Sequence, residues 1–145
     1  MQIIIATAFT VSIIATPFGQ WYYPFVPDGE QRVCQETAKW MKDTNLSFNK
    51  ICFFHPALPV YFDVDPFDDK KVIRYLNLND PIPSDFFPAG SLMIWDAHFG
   101  ANEGGIPSEK LDGIPALQLL RKFRPENPFT VLGGGEFEIR IYQVK

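Results

Sequence analysis

Between Asp28 and Thr44 apolar side chains return at helical spacing. Val33, Thr37, Ala38 and Met41 share one side, Trp40 widens that stripe, and Glu30, Glu36, Lys39 and Lys42 fall mainly elsewhere. Asp28 and Gln31 have the spacing of a capping box, and acid early with lysine late suits the helix dipole, so a helix is predicted over 28–44. Lys50 to Phe54 is a short apolar run closed by His55-Pro56 and reads as a buried strand; Val60 to Phe62 reads as a short extension or the start of a loop. Asp65-Pro66 reads as the cap and first turn of a second helix, with Asp68 and Asp69 at the same end and Val72, Tyr75 and Leu76 on its inner face. Asn77 to Gly90, with Pro81, Pro83 and Pro88, reads as loop.

Ser91 to Asp96 is the clearest buried strand, followed by a glycine-rich loop over 97–110. Leu111 to Phe123 reads as a broken helical stretch whose main part begins near Gly113, with Leu117, Leu120 and Phe123 on one side. At the end, Phe129 to Leu132 and Glu136 to Val144 read as the arms of a hairpin turning at Gly133–Gly135. In its second arm Phe137, Ile139 and Ile141 alternate with Glu136, Glu138, Arg140 and Tyr142, the period of a half-exposed strand. Together these elements predict an α/β fold: a mixed sheet of about four to five strands with flanking helices, ending in an antiparallel hairpin.

Composition narrows the class. With 145 residues, 46% hydrophobic and 21% charged, the chain has the makeup of one folded domain, not of a disordered segment. The 15% aromatic content points to a core of large side chains, and the 13 prolines to stiff connections. A net charge of −4 supplies no basic face, so nucleic acid is not an expected partner. Cys34 and Cys52 make neither a disulfide framework nor a zinc site; they read as two buried small hydrophobes, with one bridge open to the domain if it faces an oxidising compartment.

The N-terminus divides from the rest. Ile3 to Phe18 carries no charge, and Trp21 to Phe25 (WYYPF) follows it. Residues 1–20 are therefore an apolar segment and 21–145 a single soluble domain. Three readings of the segment compete: the end of a membrane helix, a buried first strand, and the apolar region of a signal. The aromatics after it suit a membrane interface, which favours the first, and they suit a core equally well.

Chemistry is concentrated in Trp95-Asp96-Ala97-His98-Phe99-Gly100-Ala101-Asn102-Glu103-Gly104-Gly105, at the C-terminal end of a predicted central strand, where open α/β sheets place ligands. The candidate polar site is Asp96, His98, Asn102 and Glu103. Asp96, His98 and Glu103 have the chemistry of metal ligands or acid–base groups, and Asp96 and His98 share a side if the strand continues through them. The competing reading has Asp96 capping the following turn while the glycines permit it. The cluster Asp63, Asp65, Asp68 and Asp69 lacks EF-hand spacing and reads as helix capping. Gly133–Gly135 reads as a turn and not as a phosphate loop, His55 has no partner nearby in sequence, and Asn45-Leu46-Ser47 matches a glycosylation acceptor triplet of low specificity. No cofactor motif and no nucleophile motif is present.

The order of these features carries a resemblance. The apolar segment is followed by aromatics and proline, then by the helix GEQRVCQETAKWM from Gly29, WDAHFGANEGGIP from Trp95 and FEIRIY from Phe137. This resembles the C-terminal soluble domain of bacterial multi-spanning glycosyltransferases of the C-type superfamily, the mannosyltransferase-like group. It covers nearly the whole chain, with its specificity in the WDAHFGANEGG stretch. The resemblance implies an accessory extracytoplasmic domain at the cytoplasmic membrane, with a polyprenyl-phosphate sugar and a glycan acceptor as partners. It implies catalytic acids in loops outside this chain and no catalytic residue within it. Two other expectations stand beside it. A glycan- or protein-binding module would expose Trp21, Tyr22, Tyr23, Phe86 and Phe87 as one patch, and a small metal-assisted hydrolase would converge Asp96, His98 and Glu103 in a pocket.

Overall fold

Asp28 closes the predicted capping box: its side chain accepts from the Gln31 N–H at 2.8 Å, and the Gln31 side chain accepts from the Asp28 N–H at 3.1 Å. Helix α1 (Gly29–Asp43) follows, burying Val33, Cys34, Thr37, Ala38 and Met41. The structure is a computed structural model that describes residues 10–12, 15, 26–74 and 87–145. The apolar segment lies almost wholly outside these residues, and WYYPF, Tyr75, Leu76 and the 77–86 loop lie wholly outside them. Among the described residues no helix is long and apolar enough to cross a membrane.

After α1 come strand β1 (Ile51–Phe53), short helix α2 (Leu58–Phe62), strands β2 (Val72–Ile73) and β3 (Leu92–Asp96), a π-helical turn (Phe99–Glu103), short helix α3 (Ser108–Asp112), and strands β4 (Leu117–Phe123) and β5 (Ile139–Val144). They form a five-stranded mixed sheet in the order β2-β1-β3-β5-β4. β1 lies parallel to β2 and β3, while β5 lies antiparallel to β3 and β4. The chain thus has the predicted α/β class, a mixed sheet ending in an antiparallel pair. All five residues of β3 are buried, as befits the central strand.

Five element readings are corrected. Val60–Phe62 belongs to helix α2, which Pro59 enters in its first turn. Residues 65–71 form successive turns: the Asp65 carboxylate accepts from the Phe67 N–H at 2.8 Å and that of Asp68 from the Lys70 N–H at 3.0 Å, so the acids cap turns and no helix follows. Val72 then pairs with Ile51 as a strand. Residues 117–123 are strand β4, and the helix is the five-residue α3 before it. Finally, β5 pairs with β3 and β4, while 129–132 meets the residues just before β5, through the bridge Thr130 to Glu136 and the Phe137 N–H donating to the Phe129 carbonyl at 3.0 Å, around the Gly133–Gly135 turn. Both faces of β5 are covered: Arg140 and Tyr142 are buried along with Ile139 and Ile141, which corrects the half-exposed reading.

Candidate functional site

β1 and β3 run parallel with Phe53 opposite Ile94, so the residues just beyond them, His55 on one and Asp96 to His98 on the other, reach the same edge of the sheet. The first turn of α1 arrives at that edge as well. Glu30 takes His55 Nε2 at 2.5 Å and His98 Nδ1 at 3.3 Å, so one carboxylate joins two imidazoles. The Phe99 ring packs between them, 4.9 Å from the His55 ring and 4.4 Å from that of His98. His55 is also held by its own turn, its Nδ1 accepting from the Ala57 N–H at 3.1 Å.

Asp96 is fully buried beside this group. Its Oδ1 accepts from the N–H groups of His98 at 3.0 Å and Phe99 at 2.7 Å, which is the turn cap foreseen for it. Its Oδ2 is buried with no hydrogen-bond partner among the described residues. Burial is the main force raising the Asp96 pKa above the ordinary carboxylate value; the two N–H groups and the field of His55 oppose it, and Glu30 adds to it.

The remaining predicted residues separate from this group. Asn102 turns away and donates through Nδ2 to the Leu132 carbonyl, tying the π-helical turn to the glycine loop. Gly133 takes φ +103° there, and a Cβ on it would lie 2.0 Å from Asn102 Oδ1, so this position needs glycine on both counts. Glu103 is exposed. Asp96 and His98 are therefore brought together around Glu30, whereas Asn102 and Glu103 do not join them. Among the described residues no three metal-binding side chains converge on a point, so the metal-hydrolase expectation gains no support. Of the five aromatics expected as an exposed patch, Phe87 alone is described, and it is buried.

The alternation of β3 sends its other residues to the opposite face. Trp95 donates through Nε1 to the Ile106 carbonyl at 2.8 Å, and Gly100 lies against its ring so closely that a Cβ would sit 2.5 Å from the indole. Arg140, paired with Trp95 across the β3–β5 ladder, sets its guanidinium 5.5 Å from the indole centroid. Arg140 also bonds Glu138 and, at 2.7 Å, Asp112, which accepts from the Tyr142 hydroxyl at 2.9 Å. The WDAHFGANEGG stretch thus builds two polar features, one on each face of the sheet edge.

Glu30 and His55 were missed as site residues. Glu30 reads in sequence as an acid favoured by a helix dipole, and His55 as an isolated turn residue. The signal available was the placement of His55 directly after a strand, the same position that singled out Asp96. Compared with protein-family models, with curated proteins and with solved structures, the chain matches none of them.

Proposed function

We propose that this chain is an accessory extracytoplasmic domain of a membrane glycosyltransferase that uses a lipid-linked sugar, with the transfer chemistry in membrane-associated parts outside this chain. The observation that carries the reading is the position of the Glu30–His55–His98 group. It marks the edge of the sheet at which α1 begins, and α1 begins at Gly29, nine residues and roughly 30 Å of extended chain from the apolar segment that ends at Gln20. A segment of that kind seated in lipid would turn this edge toward the membrane, where a lipid-linked donor lies. The resemblance of Trp95 to Pro107 to the glycosyltransferase domain supports the same orientation, because those residues build the edge.

The test is flotation of the full chain with phosphatidylethanolamine–phosphatidylglycerol vesicles, coupled to sugar transfer from polyprenyl phosphate in membranes of cells that make the protein. The full chain is expected to float and the doubly substituted Ile5→Lys, Ile13→Lys chain to stay in solution, since a charge in the bilayer centre costs about 3 kcal/mol. Transfer is expected to fall when Glu30→Ala loosens the edge. A chain that stays in the aqueous phase with its apolar segment intact refutes the membrane placement. Transfer indifferent to Glu30→Ala refutes the role in the transferase.

A further inference from the structure

On the face of the sheet opposite Glu30, a cavity of about 340 Å³ opens between the end of β3, the start of α3, the glycine loop and β5. Its floor is charged and nearly dry: the side chains of Arg140 and Glu138 are 9% and 8% exposed. Glu138 is held from both ends, by Arg140 on Oε1 and by Arg124 at 2.8 Å on Oε2, and the Arg124 side chain is 62% exposed at the rim. Desolvating such a pair of ions is costly before their pairing is counted, and an apolar pair would close a sheet face with less penalty. Small-molecule sites combine apolar walls with a few fixed polar groups, and here Trp95, Ala97, Ala101 and Pro107 supply the first and Arg140 and Glu138 the second.

The charges select the ligand. Two arginines, Arg124 and Arg140, face three carboxylates, Glu109, Glu136 and Glu138, so the lining is net negative and a phosphate or carboxylate ligand would be repelled. Donors and acceptors stand side by side, Arg124 and Ser108 with Glu109 and Glu136, and this mixture suits a neutral molecule whose groups both donate and accept. Hydroxyl groups do both. We propose that this cavity binds a neutral sugar unit, and that it is an acceptor-sugar subsite distinct from wherever the phosphate of a lipid-linked donor is held. The assignment to an acceptor rests on the glycosyltransferase reading; the binding of a neutral sugar does not.

Saturation-transfer NMR on the full chain tests it, using methyl α-mannopyranoside, methyl α-glucopyranoside and methyl β-galactopyranoside as probes, with inorganic phosphate as competitor. Gly135→Leu adds bulk at the cavity wall where a Cβ meets nothing within 4 Å, so it narrows the site without a local clash. Arg124→Ala removes a rim donor, and Lys39→Ala, on exposed α1 surface, is the control. At least one glycoside is expected to bind, about tenfold more weakly in Arg124→Ala and Gly135→Leu and unchanged in Lys39→Ala, with melting temperatures preserved. No glycoside signal, a signal unchanged in both cavity variants, or displacement by phosphate overturns the inference. A chain that floats with vesicles yet binds no glycoside loses this inference alone; one that binds glycosides yet does not float loses the membrane placement alone.

Discussion

Asp96 is divided between two tasks. Oδ1 satisfies two backbone N–H groups that begin the turn after β3, while Oδ2 is buried without a partner among the described residues, near Glu30 and His55. With its folded pKa above the ordinary carboxylate value, the native state binds the proton more tightly than the unfolded chain does. The stability linked to that proton is fully present below the unfolded pKa and is lost as pH rises through the folded one. Asp96→Asn keeps an acceptor for the two N–H groups and carries no charge. Its stability relative to the parent should therefore increase between pH 4 and pH 8, read by urea denaturation at each pH; a difference that shrinks with pH would contradict the raised pKa. Asp96→Ala is equally uncharged but loses both bonds, so it should lie about 1–3 kcal/mol below Asp96→Asn at every pH. Sequence alone exposed Asp96 and its cap, because an acid before a glycine-rich turn is a local signal. It did not expose the partners, because Glu30 is 25 residues from His55 and 68 from His98, and only the parallel pairing of β1 with β3 joins them.

At the scale of elements, β4 shows how a strand can carry a helical pattern. Leu117, Leu120 and Phe123 recur at the spacing of a helix face, yet Leu117 pairs with Val144 and Phe123 with Ile139, on opposite faces of the sheet. The cause is a β-bulge: the ladder passes from Leu119 to Arg121, leaving Leu120 as the extra residue. Deleting Leu120 leaves every pair in place, so that chain should fold with a loss of no more than about 1 kcal/mol. Deleting Gln118 closes the bulge only by sliding Leu119 opposite Gln143 and Leu120 opposite Tyr142, which puts Leu119 on the other face, and should cost about 1 kcal/mol more. Equal losses in denaturant titrations of the two deletions would show that the bulge does not set the register. α1, β1 and β3 were legible because each carries its cap or its apolar run within its own residues. β2 was not, since two residues are too few to display alternation, and the turns before it use acids as a helix start would. β5 misled for a related reason: Arg140 and Tyr142 look solvent-facing until Asp112 and Glu138 arrive to pair them.

For the whole molecule the question is whether α1 and the sheet open together, and the two cysteines can answer it. Cys34 lies on the buried side of α1 and Cys52 in β1, both free and both within one continuous apolar core. Burial pushes each thiol up to about 12, with Glu30, Asp96 and Asp28 adding to the effect at Cys34. The thiolate is the reactive form, so at pH 8 neither cysteine should react with iodoacetamide while its surroundings remain packed. Reaction then requires opening, and the rate reports the free energy of the smallest opening that frees each thiol. α1 crosses both halves of the sheet: the Trp40 ring meets the Phe123 ring of β4 edge-on at 5.7 Å, while Glu30 holds His55 beyond β1 at the other end of the helix. A helix tied at both ends should not lift away alone. Cys34 and Cys52 are therefore expected to be alkylated at the same rate, rising together with urea and following global unfolding. Faster labelling of Cys34 in the absence of denaturant would mean that α1 detaches first, and that the Glu30 contacts to His55 and His98 are a hinge rather than a clamp.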